Sequence, residues 1–149
     1  MAMATDFLVS IQRIIKLHES MLKEICEKYH MSLIEAKIIS FLHNNPGKDT
    51  AADIVELRML QKGNVSQAVE VLFQKSLLLR RQDQEDRRRI HLILTDQAKP
   101  IVEEMERIWA EFEKEIFSGL SQEEKSAFNK VNEKIKENAR KALTGREKF

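Results

Sequence analysis

A single cysteine, Cys26, excludes an internal disulfide framework and fits a reducing compartment. Two prolines and four glycines in 149 residues supply too few tight turns for an all-β fold. No apolar run approaches the roughly 18 residues that a membrane-spanning helix needs. Met1 to Asp6 shows no basic segment leading into an apolar one, so no secretory signal is expected. There is no glycine-rich phosphate loop, no nucleophile elbow and no Cys-His pair with an orienting acid, so the chain does not read as an enzyme. His18, His30, His43 and His91 never fall three or four apart, so neither a metal site nor a cofactor is expected. What remains is 42% hydrophobic and 33% charged, which suits one folded, mainly helical cytoplasmic protein with no membrane partner.

The net charge of +1 hides an uneven distribution. From Arg58 to His91 eight basic residues face four acidic ones, whereas from Ile101 to Ala139 ten glutamates outnumber six basic residues. A local cationic surface, not the total charge, is what phosphate binding requires.

Apolar residues recur at helical spacing from about Thr5 to Lys28 through Phe7, Ile11, Ile14, Ile15, Met21, Leu22 and Ile25. Ser32 and Glu35 form a capping-box pattern that opens a second helix burying Ile34, Ile38, Phe41 and Leu42, halted at Asn44-Asn45-Pro46-Gly47. Thr50 and Asp53 open a short third helix with Ala51, Ile54, Val55 and Leu57. Gly63 is expected to end the next turn, before a fourth helix from about Asn64 to Lys75 with Val65, Val69, Leu72 and Phe73 on its stripe. Two apolar runs, Leu77–Leu79 and Ile90–Leu94, flank a polar turn and predict a β-hairpin. After Thr95 a fifth helix buries Ile101, Met105, Ile108, Trp109, Phe112 and Ile116; Pro100 should delay or kink its start. Ser121 and Glu124 cap a sixth helix carrying Phe128, Val131 and Ile135 to about Leu143, with Thr144 to Phe149 frayed.

The fold class expected is mainly α (α+β): a winged helix-turn-helix with a two-stranded wing, flanked by dimerisation helices. The boundaries are an N-terminal helix at 1–30, part of the dimerisation region, a winged helix-turn-helix at 31–95, and C-terminal dimerisation helices at 96–149. The central block can make its own small core, while the outer helices have stripes that it cannot cover, so a homodimer is expected.

Lys62-Gly63-Asn64-Val65-Ser66-Gln67-Ala68-Val69 resembles the recognition-helix opening of MarR-family bacterial regulators. Asp83-Gln84-Glu85-Asp86-Arg87-Arg88, followed by Leu94-Thr95, is similar to the wing signature of the same family. The element order matches from about Phe7 to Leu143. Gln84 and Gln67 stand where proline and a basic residue are frequent, and Ser76 and Ala98 replace common glycines.

The second helix of such a pair enters the major groove while the hairpin tip reaches the backbone or minor groove. Asn64, Ser66, Gln67 and Glu70 are therefore assigned to base edges or sugar-phosphate, and Lys62 to a phosphate. On the wing, Asp86 is expected to pair with Arg88 and orient its guanidinium, with Arg87 beside it; the alternative is that Asp86 only shapes the turn and its basic neighbours are solvated.

The resemblance implies a transcriptional repressor that binds double-stranded DNA at a pseudo-palindromic operator and is relieved by a small phenolic or aromatic ligand, held where the DNA-binding block meets the dimerisation helices. His18, Met21 and Trp109 lie on elements that reach that region, though Met21 and Trp109 read better as core. The alternatives are a winged-helix module that binds protein, or a regulator responding to a metal or an oxidant. Cys26 lies one turn before Tyr29, where some relatives sense oxidants, but a buried, inert thiol is the commoner case.

Overall fold

The computed structural model describes residues 2–147. It contains α1 (Met3–Tyr29), α2 (Leu33–Asn44), α3 (Ala51–Arg58), α4 (Lys62–Gln74), β1 (Leu78–Gln82), β2 (Ile90–Leu94), a 3-10 turn (Asp96–Ala98), α5 (Lys99–Ile116) and α6 (Gln122–Glu147). This is the expected order of a winged helix-turn-helix with flanking helices. The wing is a two-stranded antiparallel sheet in which Leu78 pairs with Leu94 and Gln82 with Ile90.

Capping chemistry fixes the helix starts. Ser32 Oγ accepts the Glu35 amide while the Glu35 carboxylate takes the Ser32 amide, and Thr50 and Asp53 do the same for α3. Ser121 and Glu124 repeat the exchange at the head of α6. Each box satisfies amides that have no intrahelical acceptor. The α4–β1 junction is closed by a left-handed Ser76 at φ 63°, with the Leu77 amide reaching back 3.0 Å to the Leu72 carbonyl.

The chain forms two compact units, one running to Phe112 and the other starting at Glu113. In the first, Ile38, Ile39, Ile54, Val65, Leu72 and Leu78 form the centre of the core. That core is wider than the central block, because Leu22 and Ile25 of α1 and Ile101, Met105 and Ile108 of α5 belong to it. At the α2–α4 corner, Lys75 Nζ donates to the His30 carbonyl at 2.7 Å and to Glu35 Oε1 at 3.1 Å. In the second unit, α6 buries none of its residues, and Phe117 meets Phe128 edge-on at 5.8 Å.

Several expectations change. Gly63 is the second residue of α4, not the end of a turn. Phe73, expected on the apolar stripe of α4, and Leu57, expected only as an outlying member of α3, are both exposed. Pro100 does not delay α5, which starts at Lys99; a proline in the first turn removes an amide that has no helical acceptor anyway. Thr144 to Glu147 continue α6 instead of fraying, with Thr144 Oγ1 donating to the Arg140 carbonyl at 3.0 Å. Lys148 and Phe149 lie outside the described residues.

Candidate nucleic-acid interface

The α4 helix divides cleanly into two faces. Val65, Ala68, Val69 and Leu72 are buried, which turns Lys62, Asn64, Ser66, Gln67 and Glu70 outward. The five sequence-assigned polar residues therefore share an exposed surface. Gln61 precedes the helix in extended conformation and makes no side-chain cap bond. An uncapped N-terminus leaves backbone donors and the positive end of the helix dipole open to an anion. The Asn64 amide group donates to Gln61 Oε1 at 3.3 Å.

Glu70 is less free than its neighbours. Its carboxylate accepts a hydrogen bond from Arg80 of β1, whose guanidinium lies 4.4 Å from the Phe73 ring centre. Arg80 thus links the wing to α4 through an ion pair and a cation–π contact. Sequence reasoning did not single it out, since the pairing depends on how α4 and the sheet pack. Between them runs a groove of about 400 Å³ lined by Ser66, Val69, Glu70, Arg80, Gln82 and Ile90, among others.

At the wing tip the acids organise backbone. Asp83 Oδ2 accepts the amides of Glu85 at 3.0 Å and Asp86 at 2.9 Å, and the Asp83 amide donates to the Arg89 carbonyl at 2.9 Å. Asp86 Oδ1 accepts the Arg88 amide at 3.0 Å. The expected Asp86–Arg88 side-chain pair is therefore not made. A short carboxylate reaches an amide two residues on with little entropy cost, whereas an exposed ion pair gains little. The result is a turn whose donors are satisfied from within. Among the described residues, Arg87, Arg88 and Arg89 are exposed and make no ion pair with a carboxylate. Hydrogen bonds from His91 first, then from the Asp86 and Glu85 amides, hold the Asp83 carboxyl down at about 2.

In the sequence His91 stands out only as a possible metal ligand. It stands at the base of the wing between two carboxylates, with Nδ1 2.7 Å from Asp49 Oδ1 and Nε2 2.6 Å from Asp83 Oδ1. Asp83 lies eight residues away across the hairpin and Asp49 forty-two residues away, so only the folded unit brings the three together.

The remaining candidates have packing roles. His18 is buried, with Trp109 at 4.2 Å and Phe112 at 5.1 Å between ring centres. Burial, then the charges of Arg58 and Lys37, lower its pKa to about 4, and its Nε2 has no hydrogen-bond partner among the described residues. Trp109 Nε1 donates to Ser40 Oγ at 2.9 Å, and Met21 packs against the core. Cys26 is half-buried, and burial followed by Glu35 raises its pKa, away from the thiolate that a reactive cysteine needs. Among the described residues, no three His, Cys, Asp or Glu side chains are grouped to hold a metal ion, and no helix is long and apolar enough to cross a membrane.

Comparison with known proteins gives this geometry a context. Residues 30–89 match the family model described as the MarR family. A MarR transcriptional regulator from Methanosarcina mazei Go1 superposes with a TM-score of 0.75 at 19% identity, over 92% of this chain and 99% of its own. A MarR-type protein from Listeria monocytogenes, complexed with 26mer DNA, has a TM-score of 0.73 at 14% identity, covering 93% of this chain and 89% of that one. BpsR of Bordetella bronchiseptica, whose DNA binding is regulated by 6-hydroxynicotinic acid, gives 0.66 at 21% identity, over 88% and 98%. At these identities the likeness is one of fold.

Proposed function

Because residues 30–89 carry a MarR-family winged helix-turn-helix within the MarR fold, we propose that this chain is a sequence-specific DNA-binding transcriptional regulator. One observation carries the reading. An uncapped, polar-faced α4 and an arginine-tipped turn with unpaired guanidinium groups are exposed on a single compact unit. Lys62, Asn64, Ser66, Gln67 and Glu70 then meet the major groove, and Arg87 and Arg88 the adjacent backbone or minor groove, with Asp86 shaping the turn that presents them.

Dimerisation supplies the second half-site. The described residues of α1 expose Phe7, Ile14 and Ile15, and α6 exposes Phe128, Val131, Ile135 and Leu143 at 40% to 53% of their area. Apolar rows of this length in water favour burial against a second copy, which supports a division into dimerisation segments at 1–30 and 96–149 around the DNA-binding block at 31–95. Two recognition helices then read a pseudo-palindrome one helical turn apart. The likeness to BpsR, whose DNA binding is regulated by 6-hydroxynicotinic acid, supports a small aromatic effector. In this reading the effector relieves repression, and the regulator acts in the cytoplasm.

The test is to select bound fragments from genomic DNA and measure their affinity against salt. With about six phosphates neutralised, affinity should fall roughly a thousandfold between 50 and 200 mM salt. No retained duplex, or a flat salt profile, would leave a protein-binding module instead. Sedimentation at micromolar concentration should give twice the chain mass.

A further inference from the structure

A neutral imidazole has one N–H, and here both ring nitrogens of His91 meet a carboxylate oxygen, at 2.7 Å and 2.6 Å. Only the imidazolium donates to both; the neutral ring must set a lone pair against one of the acids. Each acid belongs to a different part of the DNA-binding unit. Asp49 lies in the loop between α2 and α3, and its carbonyl also accepts the Leu92 amide at 2.8 Å. Asp83 begins the turn and holds the Glu85 and Asp86 amides, so its carboxylate joins the ring to the arginine tip.

We propose that His91 is the positioning residue of the wing: as an imidazolium it fastens the turn to the α2–α3 loop, and its deprotonation loosens the arginine tip and weakens duplex binding. The consequence for affinity rests on the DNA-binding reading above.

The surroundings leave the two aspartates in control. Arg81 opposes His91 across the sheet, and Arg81 and Glu85 line the same hollow. On α2, Glu35 is engaged by Ser32 and Lys75, Lys37 by Glu19 and His43 by Glu106. On α3, Asp53 takes the Thr50 amide, Glu56 is exposed, and burial lowers the Arg58 pKa against the opposing charge of Glu19. Hydrogen bonds to Asp49 and then to Asp83, both accepted by carboxylate oxygens, raise the His91 pKa above its ordinary 6.5. The imidazolium therefore contributes its full stabilisation below pH 6.5, and loses it as pH rises through the raised value. Asp83, lowered to about 2 from 3.8, contributes above 3.8 and fails only in strong acid.

The experiment is an NMR titration of the His91 ring nitrogens in the full chain, with operator affinity measured over the same pH range at fixed ionic strength. Wild type, Asp49→Asn and His91→Gln are compared. Both ring nitrogens should stay protonated beyond pH 6.5, and affinity should drop about tenfold across the ring's own midpoint. Asp49→Asn should move both midpoints down together, and His91→Gln should bind weakly with a flat profile. If His91→Gln fails to fold, the paired shift in Asp49→Asn decides. An ordinary midpoint insensitive to Asp49→Asn, or a wild-type binding profile that persists in His91→Gln, overturns the proposal. Absence of duplex binding at every pH would remove the DNA-binding reading, and the clamp then stands or falls on the ring titration.

Discussion

The α4 and α6 helices carry apolar stripes of the same kind, yet they end in opposite situations. Val65, Ala68, Val69 and Leu72 of α4 are covered by their own chain, whereas α6 runs for 26 residues without burying one. A periodic stripe says that a face seeks cover; it does not say where the cover comes from. For α4 the cover is α2, α3 and the sheet, all within the first unit. For α6 the reading proposed above supplies a second copy.

The largest test of this contrast removes apolar atoms from each helix. Leu72→Ala should destabilise the protein by roughly 2–5 kcal/mol, since Leu72 is fully buried and the cavity cannot close. Ile135→Ser, on the uncovered stripe, should leave the unfolding of the first unit within about 0.5 kcal/mol of wild type while shifting sedimentation toward monomer. Urea denaturation of both variants, with the second measured dilute and concentrated, separates the outcomes. An equal loss in both would erase the distinction.

The covered region also contains an ionisable group, His18, which tests how well it excludes water. Its pKa is lowered to about 4, so the unfolded chain takes up the proton first as pH falls. Stability should therefore be complete above pH 6.5 and decline between 6.5 and 4, by no more than about 3 kcal/mol. His91, its opposite, loses its contribution as pH rises. A ring titration placing the His18 midpoint near 6.5 would show that water reaches the Trp109–Phe112 box.

The arginine tip belongs to neither class, being exposed without an apolar stripe. Arg88→Ala should weaken operator binding by about 1–3 kcal/mol and leave the unfolding midpoint unchanged. The affinity is read at moderate salt. A loss of stability equal to the loss of binding would mean that Arg88 holds the wing together instead of serving it.

Much of this was legible in the residues, and what was not has a common cause. Capping boxes at Ser32, Thr50 and Ser121 are local, three residues from donor to acceptor, so spacing alone finds them. The outward face of α4 follows from its inward stripe by the same helical arithmetic. Asp86 was given the wrong partner atom because sequence ranks charge against charge, while the folded turn offered a nearer amide. The Arg80–Glu70 link and the His91 cluster join residues 10 and 42 positions apart across packed elements. No periodicity encodes such distances. Leu57 and Phe73 show the converse failure: each continues an apolar pattern yet stays exposed, Phe73 with the Arg80 guanidinium over its ring instead of an apolar neighbour.

The smallest effect concerns how firmly α4 is joined to the wing. Ser76 holds φ 63°, a left-handed conformation that crowds its Cβ against the backbone and that glycine adopts without penalty. The position cannot relax, because the Leu77 amide must reach the Leu72 carbonyl and Thr95 Oγ1 donates to the Ser76 carbonyl at 2.7 Å. Neither bond involves the Ser76 side chain, so Ser76→Gly keeps both and removes only the strain. The variant should gain up to about 1 kcal/mol, less the added entropy of a glycine in the unfolded chain. A rise in the denaturation midpoint with unchanged slope confirms the gain, whereas a fall would show that the serine hydroxyl contributes something the geometry does not reveal.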